Sequence, residues 1–160
     1  MKLLIRPANK KDIDSIVALS GQTARLMRQI SPAGFGKTLS QPIDIKKETK
    51  WYRQAVGDKE KAVFVAERNG KVRGYLMGVI EKYPDDLLEP PYLTVQYLCV
   101  DKKSRRLGIG QALMREIEKW ARNKKISTLE LIVYNNNHPA RELFHKMRYL
   151  PLEIRMAKRL

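Results

Sequence analysis

Between Tyr92 and Lys124 the hydrophobic period of the chain changes across a turn built of arginine and glycine, and few folds accommodate such a junction. Tyr92–Val100 is a strongly β-prone run. Leu107–Lys124 then places Ile109, Leu113, Ile117, Trp120 and Ala121 at the 3.6-residue spacing of a helix with one buried face. A further strand is expected over Thr128–Val133, so that strand, helix and strand form a parallel unit with a right-handed crossover. The turn itself reads Arg105-Arg106-Leu107-Gly108-Ile109-Gly110. Unpaired N–H groups at a helix start attract an anion, the helix dipole adds to the attraction, and glycines let the anion approach the backbone. A diphosphate fits such a cradle, with Arg105 and Arg106 offering charge-assisted hydrogen bonds at its rim.

An isolated Gly-x-Gly is also an ordinary tight turn, and its arginines can be a solvated face. Two nucleotide-binding alternatives fit poorly. The dinucleotide fingerprint needs a third glycine where this chain has Leu113, and the phosphate loop needs a Gly-Lys-Ser/Thr that is absent.

The rest of the chain frames the junction. Lys2–Pro7 reads as a short strand, and Asp12 starts a helix with the apolar stripe Ile13, Ile16, Val17, Ala24, Met27 and Ile30. Ser31–Pro42, rich in Gly, Pro and Ser, is expected to be a loop able to cover a substrate site, before a helix over Ile45–Val56. Ala62–Glu67 and Val72–Ile80 flank Asn69-Gly70 and predict an antiparallel hairpin. A helix over Pro139–Met147 and a last strand over Leu152–Met156 complete one α/β domain over residues 1–160.

Charge narrows the ligands without choosing one. With 32 Lys and Arg against 17 Asp and Glu, the net charge of +15 favours anions. The basic residues form scattered pairs, not the aromatic-interleaved run of many RNA binders, so nucleic acid is not the expected partner. No apolar run reaches the roughly 20 residues that span a bilayer, and Met1–Arg6 lacks a signal-peptide pattern, which predicts a cytoplasmic protein without a membrane partner. Cys99 stands alone, without a disulfide partner or a nearby histidine, and reads as a small core hydrophobe. His138 and His145 lack metal-ligand spacing, so no metal is expected. Trp51, Tyr52 and Trp120 read as core, although Trp51 and Tyr52 could line an acceptor site.

The strand, the Arg105-x-x-Gly108-x-Gly110 turn, the helix, the next strand and Asn137-x-x-Ala140-x-x-Leu143-Phe144 together resemble the GNAT superfamily of N-acetyltransferases. The likeness extends over nearly the whole chain, from Ile5-Arg6-Pro7-Ala8 through the Asn-Gly hairpin to the closing Met156–Leu160. It implies a mixed, mostly antiparallel sheet with one splayed parallel strand pair, flanked by helices. It implies acetyl-CoA as cosubstrate, with Leu98, Cys99 and Val100 facing the pantetheine arm through their backbone. The amides from Arg106 through Leu107, Gly108 and Ile109 to Gly110, with Arg105, would take the pyrophosphate. Asn137 and Phe144 would lie beside the arm and the thioester. Many relatives form dimers, so a homodimer is a further expectation.

Two positions depart from the resemblance. Phe144 stands where many members carry a tyrosine that protonates the leaving thiolate, and Thr94 aligns with a glutamate that deprotonates the amine in some of them. Tyr97, Tyr134, Tyr149 or a water are the substitutes for the acid, unless the low basicity of the thiolate makes one unnecessary. Among nearby carboxylates Glu81, Asp85, Asp86 and Glu89, Glu81 at its strand end is the strongest candidate base, acting through water. The implied reaction is direct transfer to a primary amine: a protein N-terminus, a lysine or a small amine. The positive excess argues against a polyamine unless the pocket is locally acidic. Without acid and base, the other reading is a GNAT-like protein that has lost catalysis and binds RNA or a protein partner through its basic surface.

Overall fold

Period-2 and period-3.6 segments resolve into one sheet with helices on both faces. The computed structural model describes residues 2–31, 44–83, 89–156 and 158. Strands β1 (Leu3–Pro7), β2 (Lys61–Arg68), β3 (Lys71–Glu81), β4 (Tyr92–Val100) and β5 (Leu129–Leu131) lie side by side in that order. The first three pairings are antiparallel and β4–β5 is parallel. The mixed sheet with a single parallel pair is the one expected.

Helices α1 (Ile13–Ile30) and α2 (Ile45–Ala55) cover one face, and α3 (Ile109–Asn123) and α4 (His138–Lys146) the other. Each face has its own core. Ile13, Ile16, Tyr52, Val65, Tyr75, Met77 and Cys99 pack under α1 and α2. Phe64, Leu76, Leu93, Val95, Ile109, Leu113, Ile117 and Phe144 pack under α3 and α4. Arg6 pins β1 to both neighbours, with its guanidinium 2.8 Å from Asp12 before α1 and 2.8 Å from Glu67 on β2. Cys99 and Tyr52 are core residues, as read from the sequence.

One expected element is corrected. Leu152–Met156 is not a strand: the segment is irregular and exposed, because no neighbouring strand receives its backbone. β5 also keeps three of its six expected residues, since the chain leaves β4 after Leu131. Most of the Ser31–Pro42 loop, and Asp85 and Asp86, lie outside the described residues. No helix among the described residues is long and apolar enough to cross a membrane.

Candidate active site

The parallel strands form a fork. They pair only at Leu93, Thr94 and Val95 against Leu129, Glu130 and Leu131. From Gln96 to Val100, β4 continues with no strand partner on that side among the described residues, so no ladder uses its outward N–H and C=O groups, and the Val100 carbonyl accepts from Arg105 instead. The fork opens at the carboxyl ends of the strands, where open α/β sheets hold their ligands.

A β-bulge sits where the strands part. Gly78 pairs with Val95 and Met77 with Tyr97, leaving Gln96 as an extra residue in β4. One inserted residue exchanges the faces of everything beyond it. Leu93 and Val95 therefore point into the α3 core, whereas Cys99 points into the α1–α2 core and Leu98 and Val100 pack on the α3 side. Gln96 and Tyr97 are both exposed at the bulge.

Beyond β4 the chain makes a cradle. Arg106 (φ 63°) and Gly108 (φ 76°) adopt left-handed conformations on either side of Leu107, an alternation that turns successive N–H groups to one concave side. Gly108 caps α3 without a side chain, so the first amides of the helix keep no intrachain side-chain acceptor at that cap. A Cβ on Gly108 would meet nothing within 4 Å, so the cradle is open. The second glycine serves packing instead. A Cβ on Gly110 would lie 3.1 Å from Leu143, which places α4 against the first turn of α3. Buried Ile109 anchors that turn, and Leu107 is exposed. Arg105 donates from Nε to the Val100 carbonyl at 3.3 Å, and exposed Arg106 lies 3.8 Å from Glu142.

The candidate acid and base residues divide between the two faces. Asn137 caps α4, its Oδ1 accepting from the Ala140 N–H at 3.4 Å. Phe144 is buried and edge-on to Tyr149, with ring centroids 5.9 Å apart. The Tyr149 hydroxyl donates to Glu118 on α3 at 3.0 Å, and burial pushes this phenol up, as does Glu118. Tyr134 lies past the end of β5 and accepts the Asn137 N–H at its carbonyl, 2.8 Å away. Tyr97, by contrast, stands on β4 itself. Its ring is edge-on to Trp51 at 5.6 Å and to Tyr52 at 6.4 Å, and partial burial pushes its phenol up, as does nearby Glu48. The Cys99 thiol is also pushed up by burial, which makes it a poor nucleophile.

Carboxylates gather on the α1–α2 face at the closed end of the fork. Glu81 accepts from the Tyr92 hydroxyl at 3.1 Å and from the Gln96 amide at 3.5 Å. Glu130 pairs in register with Thr94 and accepts from the Tyr83 hydroxyl at 3.1 Å. The Tyr83 and Tyr92 rings lie 4.5 Å apart and join the two halves. Sequence reasoning named Glu81 and missed Glu130. The signal was the alternation Leu129-Glu130-Leu131, which turns one acid away from the core that takes both leucines.

The family model described as the Acetyltransferase (GNAT) family matches residues 26–149. A tetramutant of the BH1408 protein from Bacillus halodurans superposes with a TM-score of 0.85 at 20% identity, over 98% of this chain and 99% of that one. A predicted acetyltransferase from Clostridium acetobutylicum, solved with acetyl-CoA, gives 0.72 at 16% identity over 99% and 96%. The aminoglycoside 6'-N-acetyltransferase of Acinetobacter haemolyticus gives 0.72 at 14% identity over 98% and 99%. At these identities the solved structures share the fold with this chain.

Proposed function

The chain belongs to the GNAT acetyltransferase family, and on that premise we propose that it is an acetyl-CoA-dependent N-acetyltransferase whose acceptor is a cationic primary amine. The observation that carries this reading is the continuity of fork and cradle: unpaired β4 backbone from Gln96 to Val100 leads directly to the left-handed turn at Arg106 and Gly108. In this reading the amides of residues 106–110 and the Arg105 side chain hold the pyrophosphate. The backbone of Leu98, Cys99 and Val100 hydrogen-bonds the pantetheine arm, and Asn137 and Phe144 flank it. The bound thioester supplies the acetyl group.

Three requirements remain for the protein. A backbone N–H at the Gln96 bulge is suited to stabilise the carbonyl oxygen as it gains charge, because it is fixed and has no strand partner on that side. The amine must lose a proton, and Glu81 and Glu130 are the carboxylates beside the fork that can take it through water. The departing sulfur needs a proton, for which Tyr97 is better placed than Tyr134 or Tyr149: it stands on β4 beside the bulge, while Tyr149 is engaged with Glu118 on the other face. The buried thiol of Cys99 favours direct transfer without an acyl-enzyme. Glu81 and Glu130 also supply the local negative charge that lets a protein of net charge +15 accept a cation.

Calorimetric titration with acetyl-CoA and with CoA tests the reading. Roughly micromolar affinity is expected. Gly108→Glu fills the open cradle and sets a carboxylate against the phosphates, so binding should disappear in the folded variant. Unchanged affinity in the variant would refute the cradle, and failure of the folded wild type to bind would refute the cosubstrate.

A further inference from the structure

One carboxylate of the α1–α2 face stands apart from the acids at the closed end of the fork. Glu48 lies in the first turn of α2 and is half-buried. Its Oε2 accepts from the hydroxyl of Ser20 on α1 at 3.1 Å, and Ser20 is itself buried. The Tyr52 hydroxyl lies beside Ser20 and 2.6 Å from that of Tyr75, so buried hydroxyls back this oxygen. Among the described residues no lysine or arginine is ion-paired to Glu48. A carboxylate anchored through one oxygen and left without a cation of its own is suited to take one from a ligand.

Two aromatic rings stand next to it. Trp51 follows Glu48 by three residues in α2, so the two side chains share a helix face, and Trp51 is half-buried. Tyr97 of β4 meets the Trp51 ring edge-on, at 5.6 Å and 73°, so the pair forms two walls of a corner. Tyr97 keeps 37% of its surface exposed and lies close enough to Glu48 for the charge to raise its phenol. Aromatic rings beside a carboxylate are the combination that holds an alkylammonium group: the rings attract its charge and lie against its apolar carbons. We propose that Glu48, Trp51 and Tyr97 form a subsite for a non-reacting alkylammonium group of the acceptor. Tyr97 follows Gln96, at whose bulge the thioester carbonyl would sit, so a cation held there belongs to a molecule within reach of the reaction. Glu81 and Glu130 lie toward the Tyr92 end of β4 and Glu48 toward Cys99, which puts carboxylates on both sides of the bulge. The role in acceptor binding rests on the acetyltransferase reading; the binding of the cation does not.

Trp51 reports on the subsite once Trp120, the other tryptophan, is replaced. The test is therefore a fluorescence titration of the Trp120→Phe protein with tetramethylammonium chloride, without acetyl-CoA and with sodium chloride as the ionic-strength control. A saturable change at roughly millimolar concentration is expected. Adding Glu48→Gln, whose amide oxygen still accepts from Ser20, should raise the dissociation constant at least about tenfold with the circular dichroism unchanged. No saturable change, or the same constant in both proteins, would overturn the subsite. Steady-state acetylation then ties the subsite to the acceptor. Glu48→Gln should raise KM about tenfold for a straight-chain amine ending in trimethylammonium, keep kcat within about twofold, and leave KM unchanged for the amine with an uncharged end. An equal change for both amines would remove Glu48 from acceptor binding. Saturable cation binding in a protein with no turnover would count against the acetyltransferase reading and not against the cation site.

Discussion

Asp12 is buried, and the Arg6 guanidinium, 2.8 Å from each of its oxygens, holds its carboxyl below the usual range. A carboxyl depressed in this way contributes stability that is present above its unfolded pKa and is lost as pH falls through the folded value. Asp12→Asn should therefore cost about 2 kcal/mol at neutral pH. Calorimetric scans should show its melting temperature falling less than the wild type's between about pH 5 and pH 3; parallel falls would remove Asp12 from the acid response. Glu130 is a residue of another kind, turned away from the core that takes Leu129 and Leu131, and in the proposed function it serves the acceptor. Glu130→Gln should raise KM about threefold to tenfold, roughly 1 kcal/mol, for a straight-chain diamine and less for the monoamine of equal length. Steady-state kinetics decide this, with CoA affinity unchanged as the control, and an equal effect on both amines would detach Glu130 from acceptor binding. The glycine cradle was legible because its chemistry lies in one contiguous stretch. Glu130 was not, because a carboxylate between two leucines becomes a candidate only when β5 sets it beside Thr94.

At the scale of elements, periods were legible and interruptions were not. Leu93, Val95, Tyr97 and Cys99 occupy alternate positions and read as one continuous face, yet Gln96 sends the first two to one core and the last to the other. A bulge is set by what the opposite strand does, and no local pattern in β4 announces it. The segment at 150–156 errs the opposite way: its alternation is strand-like, but a strand requires a partner, which periodicity does not supply. Close packing of elements shows in the glycines of β3. A Cβ on Gly74 would lie 2.9 Å from the Cys99 carbonyl oxygen of β4 and 3.0 Å from Ile109 of α3. Backbone cannot swing aside as a side chain does, so Gly74→Ala should destabilise by about 2 kcal/mol. Gly21, inside α1, would meet nothing within 4 Å. Gly21→Ala should stabilise by about 0.5–1 kcal/mol through helix propensity and a less flexible unfolded chain. Denaturant midpoints of the two variants should move in opposite directions, and a shared sign would contradict the packing of β3 beneath α3.

For the whole molecule the governing quantity is charge. Pairing all 17 acidic side chains with basic ones would still leave 15 of the 32 cations uncompensated. Composition declares that excess but not its geography. In the fold, the Glu81 and Glu130 carboxylates sit at the closed end of the fork, while Arg105 and Arg106 lie at the cradle beyond its open end. An anionic cosubstrate and a cationic acceptor would thus be drawn to opposite ends of β4. The excess also makes the compact state repel itself. Raising ionic strength from about 0.01 M to 0.15 M shortens the screening length from roughly 30 Å to about 8 Å, which weakens repulsion between distant cations more than it weakens contacts such as Arg6–Asp12. The melting temperature should rise with sodium chloride over this range, by about 3 °C for each kcal/mol of repulsion relieved. The association rate of acetyl-CoA should fall over the same range, because the field that steers it is the one being screened. A melting temperature that fell instead would mean that local ion pairs outweigh the net charge, and the field could then no longer be taken as what brings the cosubstrate to the cradle.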